Sequence, residues 1–187
     1  RLVTTFLARH PDVQVEMLCT DRVMDLIAEN IDVAIRVGRL ADSSLIARPL
    51  GTLVPVLVAS PGFLAEHGCP EEPGELAHYP CVVFGPVASG ASWRLEHGDE
   101  QCDVVVSPRL VVNDMDVLFE AVVGGAGIGM LPAGRAGAAI AADRLRRVLP
   151  AWTAPPLPLQ AVYPSARHLA PKVKAFVDHF RDEMGAL

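Results

Sequence analysis

A chain of 187 residues with 51% hydrophobic and 20% charged positions and a mean hydropathy of +0.32 is too apolar for disorder and long enough to bury its own core. Arg, Asp, Glu, Pro or Gly break every apolar run well short of the roughly 18 residues that a membrane helix needs. Sixteen basic against 22 acidic residues leave a net charge of −6, with only 5% aromatics, so this chain by itself lacks both the counterion-releasing charge and the stacking rings of a nucleic-acid binder.

In chain order, Leu2, Val3, Phe6 and Leu7 follow helical spacing and predict the tail of an amphipathic helix ending before His10-Pro11. The numbering thus opens inside an element, with no secretory leader pattern after it, as expected of a piece of a longer protein. Val13, Val15, Met17 and Cys19 alternate with Gln14, Glu16 and Leu18, which predicts a strand. Thr20 or Asp21 is placed to cap a short helix carrying Val23, Met24, Leu26 and Ile27 on one face. Residues 31–37 predict a buried strand stopped by Gly38. Helix, strand, helix, strand implies parallel pairing in a doubly wound half-sheet. Residues 47–51 and 53–59 read as extended, and Pro61 and Pro73 each open a helical turn, over 61–67 and 74–78.

The stretch 68–74, with Pro70 and Pro73, has linker composition. Beyond it come a strand at 81–84, a loop of Gly, Pro, Ala and Ser, and a hairpin of 92–96 against 102–106 turning at Gly98-Asp99. A strand at 109–112, a helix at 113–123, a strand at 127–131, a helix at 132–142 and a strand at 145–148 follow. Residues 152–158 carry three prolines and form a second linker. Leu159, Ala161 and Tyr163 then alternate as a strand, and Pro171 opens a last helix with Val173, Phe176, Val177 and Phe180 on one stripe. The expectation is an α/β chain of two lobes, residues 1–75 plus 155–187 and residues 76–154, with a cleft between them.

Glycines 124, 125, 127 and 129 do not form a dinucleotide fingerprint, because the run follows a helix and precedes a strand, the reverse of what a pyrophosphate requires; they are expected to cap a helix and allow close packing. Ser89 lacks the flanking glycines of a nucleophile elbow. His10, His67, His78, His97, His168 and His179 are scattered and read as surface or capping residues, and no cysteine pair has metal-ligand spacing. Cys19, Cys81 and Cys102, in or beside apolar segments, are expected to be buried free thiols in a reducing compartment. Asp114 and Asp116 complement the dipole of the helix that they begin, and Arg144, Arg146 and Arg147 read as a solvated edge. No catalytic set and no metal site emerges. Ligands of open parallel sheets settle beyond the strands' carboxyl ends, which points to Arg36-Val37-Gly38-Arg39, to Phe84-Gly85-Pro86 and to Asn113-Asp114. Arg36 suits a ligand carboxylate or phosphate, or else a local partner such as Asp32 or Asp42.

The run from Asp21 to Gly38, DRVMDLIAENIDVAIRVG, resembles the effector-binding domain of LysR-type transcriptional regulators. Its sequel DSSLIARPLG, from Asp42 to Gly51, fits the same family. So do Ala59-Ser60-Pro61, the run Gly127-Ile128-Gly129-Met130-Leu131-Pro132, the run Ala161-Val162-Tyr163-Pro164-Ser165, and the run from His168 to Val173. The resemblance implies two Rossmann-like subdomains joined by two crossover strands, as in type II periplasmic binding proteins, and a small-molecule effector held between them. It also implies a winged helix-turn-helix and linker helix upstream, through which alone DNA is contacted. Carried onto this chain, the ligand would be lined by Arg36, Val37 and Gly38, by Phe84, Gly85 and Pro86, by Asn113 and Asp114, and by Ile128 and Gly129. The resemblance further implies a head-to-tail homodimer, a tetramer at full length, a cytoplasmic location, no membrane contact, no enzymatic chemistry, and neither cofactor nor metal. The family domain usually opens with a strand and polar turn that this chain lacks. Two other classes share the expected architecture: a solute-binding protein serving transport, and an enzyme using Asp114 or Asp116 as general base.

Overall fold

The structure is a computed structural model that describes residues 2–20, 22–38, 45–85, 91–164 and 170–185. The chain forms two compact units: Arg1–Thr52 with Leu157–Leu187, and Leu53–Pro156.

The first unit is built from the two ends of the chain. Helix α1 (Leu2–Arg9) and strands β1 (Ala34–Val37) and β2 (Leu45–Leu53) come from its start. Strand β9 (Leu157–Pro164) and helix α5 (Pro171–Gly185) come from its end. The three strands lie in the order β1-β9-β2. One stripe of α5, Val173, Val177 and Phe180, packs on Leu50, Leu159 and Ala161 of the sheet, and Phe6 of α1 meets Phe176 edge-on, centroids 5.1 Å apart.

The β1–β9 pair is not the expected parallel one. β1 runs antiparallel to β9, with Arg36 opposite Gln160. The pattern at 13–19 forms no strand, and Met17 and Leu18 are each 61% exposed. Alternation makes a strand only where a neighbour takes up its backbone groups. Cys19 is accordingly exposed rather than buried. The short helix is likewise replaced by a turn over 26–30. Asp25 Oδ1 accepts from the Ile27 and Ala28 N–H groups, Asn30 turns back at φ 54°, and Leu26 is buried while Val23 is 90% exposed. A single buried side chain does not repay helix nucleation. Thr20 accepts from Arg22 N–H, and Asp21 lies outside the described residues.

The second unit is one continuous stretch. It contains β3 (Pro55–Ala59), α2 (Pro61–His67), a 3-10 turn (Pro73–His78), β4 (Pro80–Phe84), β5 (Ala91–His97) and β6 (Glu100–Val112). It continues with α3 (Met115–Val123), β7 (Ile128–Pro132), α4 (Ala133–Ala141) and β8 (Arg146–Arg147). Six strands lie in the order β5-β6-β4-β7-β3-β8. β4 is parallel to both β6 and β7, while β3 is antiparallel to β7 and β8.

Every residue of β3 is buried. Leu57 and Ala59 enter one core layer with Phe63, Trp93 and Leu95; Val56 and Val58 enter the other with Leu118, Val122 and Leu131. That is the signature of a strand covered on both faces. The composition-based boundary at residue 75 therefore differs from the observed one. Residues 55–67 belong to the second unit because β3 finds its ladder there, and the expected linker 68–74 lies within it as a loop over 68–72 running into the 3-10 turn. Residues 102–112, expected as two strands, form one. Pro108 sits where the register with β4 jumps between Cys81 and Val82, a bulge that tolerates a missing N–H.

Candidate functional site

In the first unit, β1 ends at Val37 and the chain turns at Gly38, φ +94°. The Gly38 N–H donates to Pro158 O at 2.8 Å, and its carbonyl accepts from Gln160 Nε2 at 3.2 Å. Among the described residues, and apart from its chain neighbours, nothing lies within 4 Å of where a Gly38 Cβ would stand, and Val37 is exposed. Arg36 donates through Nη1 to Arg22 O at 3.3 Å. Asp32, one of its two proposed local partners, instead accepts from Lys172 Nζ at 2.7 Å; the other, Asp42, lies outside the described residues, as does Arg39. Among the described residues no carboxylate pairs with Arg36.

In the second unit, parallel strands β4 and β6 bring Phe84 opposite Val112. Gly85, φ +97°, donates its N–H to Val112 O at 2.7 Å. Phe84, Gly85, Asn113 and Asp114 thus share one end of this strand pair, with Phe84, Asn113 and Asp114 exposed; Pro86 lies outside the described residues. Asp114 is the N-cap of α3, its Oδ1 accepting from Asp116 N–H at 2.8 Å and Val117 N–H at 2.9 Å. Asp116 pairs with Arg135, whose guanidinium lies 5.1 Å from the Phe119 ring centroid. The two carboxylates are therefore engaged separately, one by backbone and one by an arginine.

Ile128 and Gly129, expected to line the ligand, lie inside the second unit. Ile128 is wholly buried in the core layer of Leu57 and Trp93. A Cβ on Gly129 would run into Val122 Cγ2, and one on Gly127 into Pro80 O. Both positions face the interior, so the glycine run serves close helix–sheet packing. At its start Gly124 caps α3, its N–H bonded to Glu120 O.

Burial pushes the Cys81 thiol up to about 12, so it stays protonated; burial and the neighbouring Asp103 and Glu100 charges raise Cys102 as well. Cross-strand hydrogen bonding from Arg94, 2.7 Å from Asp103 Oδ2, holds the Asp103 carboxyl below the usual range. His179 contradicts its surface reading. It is 6% exposed, with Arg9 Nη1 3.2 Å from Nδ1, and Thr5 Oγ1 and Leu2 O each 3.0 Å from Nε2. Only the fold reveals this, because the partners lie at the opposite end of the sequence. A depression of about 500 Å³ within the second unit is lined by Ser60, Phe63, Glu66, Gly125 and Arg144 among others; it brings together the Ser60-Pro61 run, the glycine run and Arg144, which the sequence treats separately. Among the described residues, no three His, Cys, Asp or Glu side chains converge as metal ligands, and no helix is long and apolar enough to cross a membrane.

The chain matches the family described as LysR substrate binding domain over residues 1–185. It is 36% identical over 182 residues to the HTH-type transcriptional regulator PtxR of Pseudomonas aeruginosa, covering 96% of this chain and 58% of PtxR. An HTH-type transcriptional regulator of Xanthomonas campestris is 34% identical over 181 residues, covering 95% of this chain and 53% of that protein. The chain thus spans less than two thirds of the length of these relatives. Among solved structures, the regulatory domain of CrgA, a LysR-type transcriptional regulator from Neisseria meningitidis, superposes with a TM-score of 0.87 at 29% identity, covering 98% of this chain and 90% of that one. Full-length AphB, the virulence activator of Vibrio cholerae, superposes with a TM-score of 0.82 at 27% identity, covering 98% of this chain and 62% of AphB.

Proposed function

Because the chain belongs to the LysR substrate-binding domain family, we propose that it is the effector-sensing part of a DNA-binding transcriptional regulator. Its mixed α/β fold is the type II periplasmic-binding-protein-like fold of LysR-type regulatory domains. The observation that carries the reading is the family match over nearly the whole chain. The relatives named above are regulators, so a transport role is not retained.

In this reading a small-molecule effector is contacted by Arg36, Val37 and Gly38 and by Phe84, Gly85, Pro86, Asn113 and Asp114. Arg36, which among the described residues pairs with no carboxylate and donates only to the Arg22 carbonyl, favours a ligand with a carboxylate or phosphate group. The engagement of Asp114 with two backbone N–H groups speaks against its use as a general base. The output is a change of shape: the effector binds two arrangements of the protein unequally, with a coupling on the order of 1–3 kcal/mol. The full-length protein contacts DNA through its N-terminal part, self-associates as a dimer and then a tetramer, acts in the cytoplasm, and needs neither metal nor cofactor.

The test uses the full-length protein. Gel-shift titration on its own promoter, with and without a panel of small carboxylates and aromatics, is expected to show specific binding that one class of compound alters, together with a raised Tm. A full-length protein that binds no promoter DNA above non-specific background overturns the proposal.

A further inference from the structure

Gly38 and Pro158 stand opposite each other in the β1–β9 ladder, as the register Arg36↔Gln160 and Val37↔Leu159 continues by one pair. The Gly38 N–H donates to Pro158 O, which makes this a hydrogen-bonded antiparallel pair, in which each residue normally gives one N–H and takes one. Pro158 has no N–H to return. The Gly38 carbonyl would be left without its ladder donor, and the Gln160 side chain fills the place, its Nε2 donating to Gly38 O at 3.2 Å. Gln160 and Arg36, as directly opposed residues, extend from the same face of the sheet. The amide that holds the Gly38 carbonyl therefore belongs to the side chain across from the guanidinium. Pro158 and Gln160 also lie just after the second passage of the chain between units, at 156/157.

We propose that Gln160 is a positioning residue for the effector-contacting turn Arg36–Gly38, standing in for the backbone donor absent at Pro158 and tying that turn to the start of β9. This rests on the reading of Arg36–Gly38 as an effector contact. Movement of the turn on ligand binding is then passed to the first residues beyond the crossing, through one side-chain and one backbone hydrogen bond.

Restoring the missing donor provides the test. In the full-length protein, Gln160→Leu keeps the bulk and removes the donor, while Pro158→Ala in the same chain returns a backbone N–H facing Gly38. Hydrogen exchange read by mass spectrometry is expected to speed up roughly five- to tenfold for peptides covering 34–38 and 157–160 in Gln160→Leu. It should stay unchanged in β4 and β6, and return toward the wild-type rate in the double variant. Acetate serves as the carboxylate probe. Its midpoint for protecting peptide 34–38 rises several-fold in Gln160→Leu and recovers in the double variant. Wild-type exchange and midpoint in Gln160→Leu, or no recovery on adding Pro158→Ala, overturns the assignment. If acetate fails to protect the wild-type peptide, the carboxylate reading of Arg36 falls, and the exchange rates alone decide whether Gln160 holds the turn.

Discussion

Gly129 shows how much one missing carbon governs. Strand β7 passes so close to α3 that any Cβ meets Val122 Cγ2, and interiors at crystal-like density yield little to such an intrusion. Gly129→Ala is expected to destabilise by about 1–3 kcal/mol, read as a lower Tm. Val122→Ala in the same chain should recover part of the loss, because it removes the opposing methyl. A second residue-scale expectation concerns the thiols. Cys81, with its pKa pushed up to about 12 by burial, should resist alkylation at pH 8 while exposed Cys19 and Cys69 react, as mass spectrometry after iodoacetamide would show. Labelling of Cys81 at the rate of Cys69 without denaturant would contradict its burial. For the proposed ligand contact, Arg36→Ala should weaken carboxylate binding about tenfold or more with Tm little changed, since its hydrogen bond among the described residues is to an exposed backbone carbonyl.

Elements take over where local signals agree with a partner. The hairpin β5–β6 turns at Gly98-Asp99 as expected, with Ser92 opposite Val105 and Glu96 opposite Gln101, because both strands carry one apolar face, Ala91, Trp93 and Leu95 against Val104 and Val106. Across its exposed face Arg94 and Asp103 pair. Since the pairing lowers the Asp103 pKa, its contribution is present above the ordinary carboxylate pKa and fades as pH falls through the lowered folded value. Asp103→Asn should thus differ from wild type in Tm at pH 7 and converge with it in acid. The difference should be small and weakened by salt, as for any exposed pair. Helix α3 depends on Asp114 for two of its orphan N–H groups, so Asp114→Ala is expected to cost about 0.5–2 kcal/mol and Asp114→Ser much less, both measurable by chemical denaturation.

At the scale of the whole chain, the second unit is continuous and carries two core layers of its own, whereas the first is closed only when β9 and α5 return to β1 and β2. A fragment of residues 53–156 should therefore fold alone, with dispersed amide NMR signals and cooperative unfolding, while a fragment ending at residue 52 should not. A disordered 53–156 fragment would mean that the division of contacts does not mark independent folding. Local chemistry was legible in the amino-acid order: Pro61 and Pro73 at helical starts, the acidic cap of α3, the hairpin turn, the stripe of α5, and the runs that mark the family. Each of these is decided by neighbours within a few positions or by a pattern of spacing. The tertiary structure alone decided that β1 pairs antiparallel with β9, that 13–19 forms no strand, that β3 belongs with the second unit, that His179 is buried beneath α1, and that Ile128 and Gly129 turn inward. Those outcomes depend on which distant segment supplies a hydrogen-bond ladder or an apolar face, and spacing along the chain carries no record of that partner.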